Sequence, residues 1–138
     1  LHLTDIDEVS KLSIGNTNAE TCLTVVFSPI CVSCIKELQI LMRILQRKDN
    51  IKLDLIFLLD KKKHPESLII AKHLLSDYQK SPEQFITILQ KYVDDYPISK
   101  NKIMQDTKFL QEAPQYDSYL NAQENVQNTS LQYTHPIY

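Results

Sequence analysis

Cys31 and Cys34 stand three residues apart in Ser28-Pro29-Ile30-Cys31-Val32-Ser33-Cys34-Ile35. Disulfide exchange needs one accessible sulfur that is a thiolate near neutral pH. It also needs a second sulfur near enough to displace the mixed disulfide. A Cys-x-x-Cys on the first turn of a helix meets both demands. The helix N-terminus carries unpaired N–H groups and a partial positive charge, which favour a thiolate. Cys31, at the open end, is expected to meet the substrate. Cys34, one turn in and on the apolar stripe, is expected to be shielded. The residues between them, Val32 and Ser33, are neither charged nor His. The pair should therefore be a milder oxidant than a Cys-Pro-His-Cys site, with the Cys31 pKa above about 4.5.

Two other readings apply to the same residues. A structural zinc site wants four ligands, usually with a second short-spaced Cys/His pair. The remaining candidates here are Cys22, His2, His64, His73 and His135, all scattered along the chain. The plainest reading is two incidental thiols on an apolar helix face. Cys22 opens an apolar run and is expected to be a small buried hydrophobe, with a resolving or metal-binding role as the alternative. His64 and His73 read as surface or boundary residues. Asp94-Asp95 and the Asp5/Asp7/Glu8 group have no partner spacing for acid–base work, and Lys61-Lys62-Lys63 reads as a solvated loop. No phosphate-binding glycine loop, nucleophile elbow or His-Glu-x-x-His is present.

The elements around the cysteines follow from periodicity. Thr21–Phe27 is rich in β-branched and aromatic residues and ends in a continuous apolar run, as a strand buried on both faces does. Ser28-Pro29-Ile30 breaks it. From there Cys34, Ile35, Leu38, Leu41, Met42 and Leu45 recur at helical spacing, with Lys36, Glu37, Arg43 and Arg47 off the stripe. Asp49-Asn50 stops that helix, and Ile51–Leu59 reads as a second buried strand. Strand, helix, strand predicts a parallel pair with a right-handed crossover. An edge strand is expected within residues 1–14, ahead of a turn at Gly15-Asn16-Thr17-Asn18.

Beyond residue 60 the pattern is helical. Pro65 suits a first helical position, and Leu68, Ala71, Leu75 and Tyr78 share a face. Ser81-Pro82-Glu83-Gln84 has the form of a capping box, followed by Phe85, Ile86, Leu89, Tyr92 and Val93 and stopped by Pro97. Residues 101–111 and 114–127 read as further helices.

The bulk numbers set bounds. One domain with a real core fits 138 residues, of which 43% are apolar and 23% charged. A net charge of −2 gives no nucleic-acid footprint. No apolar run approaches the ~20 residues of a membrane span. The chain opens on Leu1 rather than Met, so it is expected to be a processed or excised piece. Gly15 is the single glycine. The chain closes on Thr134-His135-Pro136-Ile137-Tyr138, a loop entering a strand with no residues left to run through. The expectation is a C-terminal hairpin that is missing or truncated.

Taken together, the strand–Pro29–Ile30–Cys31-x-x-Cys34–helix block, the strand and helical stretch after it, and the terminal Thr134-x-Pro136-Ile137-Tyr138 resemble a thioredoxin-fold domain of the DsbA-like branch. Gly15-Asn16 leading into Leu23–Cys34 is similar to thioredoxin-like domains of Bacteroidetes envelope proteins, some fused to vitamin K epoxide reductase-type membrane domains. The resemblance implies an α/β, three-layer thioredoxin-like domain over 1–138. Its core would be 1–60 and 129–138, with a helical insertion of about 64–127 between the second parallel strand and the cis-proline loop. It makes Cys31 the attacking and Cys34 the resolving cysteine. It makes Pro136 the cis-proline, after a register shift of one, with Thr134 and His135 beside it to bind substrate. Pro29, Val32 and Ser33 flank the motif, and Ile30 stands where relatives often carry an aromatic. No metal and no cofactor beyond the Cys31–Cys34 disulfide is implied. The implied partners are protein thiols or disulfides and a quinone-linked membrane redox domain. The implied place is the periplasm or cell envelope, within a larger membrane-anchored protein. The competing class is a redox-inactive thioredoxin-like module that binds partners through its inserted helices, with metal handling as a third.

Overall fold

The computed structural model describes residues 12–48, 50–59 and 65–106. They form β1 (Leu12–Gly15), β2 (Thr21–Phe27), α1 (Val32–Arg47), β3 (Ile51–Phe57), α2 (Pro65–Lys80), α3 (Phe85–Asp94) and α4 (Ile98–Gln105). The sheet order is β1-β3-β2. β2 runs parallel to β3, from Thr21 opposite Ile51 to Phe27 opposite Phe57. β1 runs antiparallel to β3, with Leu12 opposite Leu55 and Ile14 opposite Leu53. The parallel pair is what the crossover through α1 requires.

The main core lies on one face of this sheet. Val25, Phe27, Leu53, Leu55 and Phe57 meet Cys34, Ile35, Leu38, Met42 and Leu45 of α1 there. Alternation along β3 sends Ile56 to the other face, where it packs with Val26 and Leu58. The helices after β3 close over the same core: Ile70, Ala71, Leu74 and Leu75 from α2, and Phe85, Leu89, Tyr92 and Val93 from α3. Tyr78 meets Phe85 edge-on at 5.3 Å between ring centres. The Gln39 amide donates to the Val93 carbonyl at 2.7 Å and ties α1 to α3.

Several expectations change. Within the expected edge segment, Leu12 to Ile14 are strand, and Gly15, expected in the turn, extends it; residues 1–11 lie outside the described ones. β2 is exposed at Thr21 and Cys22 and fully buried only from Val25, because α1 covers the end of the strand that leads into it. Ser81 does not cap a helix at Pro82. Residues 82–84 make a turn first, with the Gln84 N–H on the Ser81 carbonyl at 3.1 Å, and α3 begins at Phe85 without a side-chain cap. The helix expected at 101–111 is α4, which starts three residues earlier, directly after Pro97. The Tyr96–Pro97 peptide is cis. The expected helix at 114–127, the terminal core segment 129–138 and the cis-proline loop lie outside the described residues, as do His2, His64 and Lys61-Lys62-Lys63.

Candidate active site

Pro29 and Ile30 carry the chain from the end of β2 to the start of α1. Cys31 is the N-cap of that helix, with extended backbone (φ −95°, ψ 118°), and its carbonyl accepts the first helical hydrogen bond from Ile35 at 2.9 Å. No side chain caps the first turn and none of its residues is acidic. The unpaired N–H groups therefore face the Cys31 sulfur. Partial burial opposes charge on this sulfur. The Ser33 hydroxyl at 3.1 Å, the Cys34 backbone N–H, the Cys34 thiol and the Ser33 N–H outweigh that burial and hold the Cys31 thiol below its ordinary value.

Cys34 has the opposite environment. It is 5% exposed, within the main core. Burial pushes its pKa up to about 11, helped by the hydrogen bond and negative charge of Cys31 and by Glu37, and the Ser28 backbone N–H only partly offsets this. Two thiols three residues apart thus differ in kind. One is accessible and inclined to ionise; the other is sealed and inclined to keep its proton. Neither is in a disulfide in this structure. Val32, between them, is 56% exposed and gives the approach to Cys31 an apolar side.

Two tyrosines missed by sequence reasoning complete the site. The Tyr92 hydroxyl donates to the Pro29 carbonyl at 2.5 Å. The Tyr96 hydroxyl donates to the Ile30 carbonyl at 3.0 Å. Their rings meet edge-on at 6.0 Å. Lys100 Nζ lies 5.9 Å from the centre of the Tyr96 ring and 3.8 Å from Glu66 Oε2. Only helical periodicity pointed to Tyr92, as a core residue, and no local signal pointed to Tyr96.

The remaining candidates sit elsewhere. Cys22 is not a buried hydrophobe. It is exposed at the open end of β2, where its thiol donates to Asp54 Oδ2 at 3.1 Å. Asp54 is 1% exposed and also accepts from the Ser13 hydroxyl at 2.8 Å. Cys22 is thus drawn to a buried carboxylate on β3 and not to the Cys31–Cys34 pair. His73 is a boundary residue, as expected, within 3.4 Å of Asp77 and 3.9 Å of Asp106. Among the described residues no three His, Cys, Asp or Glu side chains gather as metal ligands. Thr134, His135 and Pro136 lie outside the described residues. Among the described residues no helix is long and apolar enough to cross a membrane.

No protein-family model and no curated protein sequence matches the chain. Solved structures do. The catalytic domain of ScsC from Proteus mirabilis superposes with a TM-score of 0.71 at 15% identity, over 91% of this chain and 74% of that one. A periplasmic thioredoxin-like protein from Salmonella enterica serovar Typhimurium gives 0.71 at 14% identity, over 99% and 83%. The thiol–disulfide exchange protein alpha-DsbA2 from Wolbachia pipientis gives 0.70 at 15%, over 96% and 76%. Against the ScsC chain in its compact conformation, this chain spans only 60% of the length. At these identities the likeness establishes the fold: the chain has a thioredoxin-like α/β fold of the kind seen in DsbA-like structures.

Proposed function

We propose that the protein is a thiol–disulfide oxidoreductase working through Cys31 and Cys34. The observation that carries this is the inequality of the two sulfurs at the start of α1. Cys31 is accessible and held below its ordinary pKa, while Cys34 is buried and pushed up to about 11. In the oxidising direction, a substrate thiolate attacks Cys31 Sγ of the Cys31–Cys34 disulfide, forms a mixed disulfide and expels Cys34 as a thiolate, which takes up a proton. A second substrate thiolate then attacks the substrate sulfur and expels Cys31. Two electrons pass to the enzyme and a disulfide stays on the substrate. In the reducing direction the Cys31 thiolate attacks a substrate disulfide, and Cys34 loses its proton and displaces the product. Stabilising the Cys31 thiolate makes it the better leaving group.

The substrates of this reading are protein thiols or disulfides, and the redox-active disulfide is the sole cofactor. An extended substrate segment would pair with the backbone beside Pro136, with Thr134 and His135 flanking that proline. An oxidising compartment such as the periplasm suits the activity, and the likeness to a periplasmic protein supports it. A quinone-linked membrane redox domain is the proposed electron partner. The domain is read as one thioredoxin core with α2–α4 in its helical insertion.

Cysteine variants test the proposal. Cys31→Ser should abolish exchange with a peptide disulfide. Cys34→Ser should accumulate a mixed disulfide at Cys31, visible by mass. Exchange that survives Cys31→Ser, or a wild type without any, rejects the proposal and favours a binding module.

A further inference from the structure

The peptide that joins Ile30 to Cys31 is held at both ends. Its N–H donates to the Ser28 carbonyl at 3.3 Å, and its oxygen accepts from Tyr96 at 3.0 Å. The preceding carbonyl, of Pro29, is held by Tyr92 at 2.5 Å. Two consecutive carbonyl oxygens just ahead of the reactive cysteine therefore each carry a tyrosine hydroxyl. Tyr92 is buried, but Tyr96 lies at the boundary, in the turn between α3 and α4. Its ring is set by Tyr92 on one side and by Lys100, which leans toward Glu66 at the start of α2. Ionised Tyr96 would be an acceptor and would lose the Ile30 carbonyl. Burial, then the negative charges of Glu66 and Cys31, push its pKa up and keep the hydroxyl a donor.

We infer that Tyr96 is a positioning residue for Cys31, fixing the Ile30–Cys31 peptide and neutralising the Ile30 carbonyl oxygen so that the thiolate is favoured. The inference rests on the proposed exchange chemistry for its purpose, though not for its geometry. A carbonyl oxygen without its donor turns its negative end freely near the sulfur and disfavours the charged form. The Cys31 peptide, once loose, also loses its alignment with the N–H groups of α1. Through Lys100 and Glu66, the placement of α2 and α4 reaches the redox pair.

Tyr96→Phe keeps the ring and removes only the hydroxyl. In the full chain, the Cys31 pKa is read from the pH dependence of alkylation, and the potential from equilibrium with glutathione. The expected result is a rise in Cys31 pKa of about 0.5–1, a three- to tenfold loss of thiolate at pH values below that pKa. At pH values above that pKa, where the reduced form carries the thiolate, the disulfide should become about 15–30 mV more reducing, by the same ratio. A merely structural tyrosine would lower the melting temperature and leave the alkylation profile in place. An unchanged profile and potential overturn the inference. Alkylation needs only a thiol, so the result stands whether or not wild type exchanges disulfides, and absence of exchange rejects the proposed function alone. If Tyr96→Phe does not fold, Lys100→Gln decides: a smaller rise in Cys31 pKa supports the inference, and an unchanged or lowered value overturns it.

Discussion

Tyr92→Phe probes the bond that fastens the inserted helices to the redox loop. Tyr92 is 3% exposed, and its hydroxyl meets the carbonyl of Pro29, itself buried, at 2.5 Å. The substitution keeps the ring, its contact with Tyr96 and its place in the core. What is lost is one donor, and what remains is a buried oxygen without it. Leaving such a group unsatisfied costs about 1–3 kcal/mol, whereas a hydrogen bond exchanged freely with water contributes only about 0.5–1.5 kcal/mol. At roughly 4 °C per kcal/mol for a domain of this size, the melting temperature should fall by about 4–12 °C. In urea the midpoint should drop at an unchanged slope, because the surface exposed on unfolding is the same. Tyr92→Ala also forfeits the ring and should lose about 3–5 kcal/mol from the cavity alone. A change of less than about 1 °C on Tyr92→Phe would refute the reasoning. It would mean that water reaches the Pro29 oxygen and that the seal over the loop is not formed.

Cys34 predicts how the reduced protein responds to alkali. Its folded pKa is raised from 9.0 to about 11, so the folded state keeps a proton that the unfolded state gives up. Stability from this group is whole below about pH 9 and is lost as pH rises toward about 11. Urea midpoints across that window should fall more steeply for wild type than for Cys34→Ala, and parallel curves would count against the assignment. Gly15 has φ +95°, and a Cβ there would lie 3.1 Å from the Ile51 carbonyl oxygen. Gly15→Ala should cost about 1–3 kcal/mol by thermal melt while leaving Cys31 alkylation unchanged, since the strain sits at the far end of the sheet from α1's first turn. A neutral or stabilising result would show that the turn after β1 can be rebuilt.

Much of the fold was legible because its information is local. Thr21–Phe27 and Ile51–Leu59 read as strands; the first is a strand throughout and the second is one from Ile51 to Phe57. The stripe Cys34, Ile35, Leu38, Leu41, Met42, Leu45 read as the buried face of a helix; all but Leu41, which is partly buried, are buried on that face. Residues whose surroundings come from far along the chain were not legible. Cys22 looks apolar in sequence, yet Asp54, on the neighbouring strand, gives its thiol an acceptor. Ser81-Pro82-Glu83-Gln84 has the letters of a capping box. Phe85 instead starts the helix, where it is fully buried against the core and meets Tyr78 edge-on.

The redox pair itself divides the same way. Sequence alone determined that Cys31 and Cys34 would sit one turn apart at a helix start, the first open and the second inward. Strand-ending Pro29 and helical spacing act over a few residues and need no partner. Tertiary structure decided what holds that turn. Tyr92 and Tyr96 stand 63 and 66 residues from the carbonyls they bind. They arrive there because α3 packs against α1 through Leu89, Val93 and the Gln39–Val93 bond. A hydrogen bond between such distant residues depends on the packing of whole helices, and no local spacing rule encodes it.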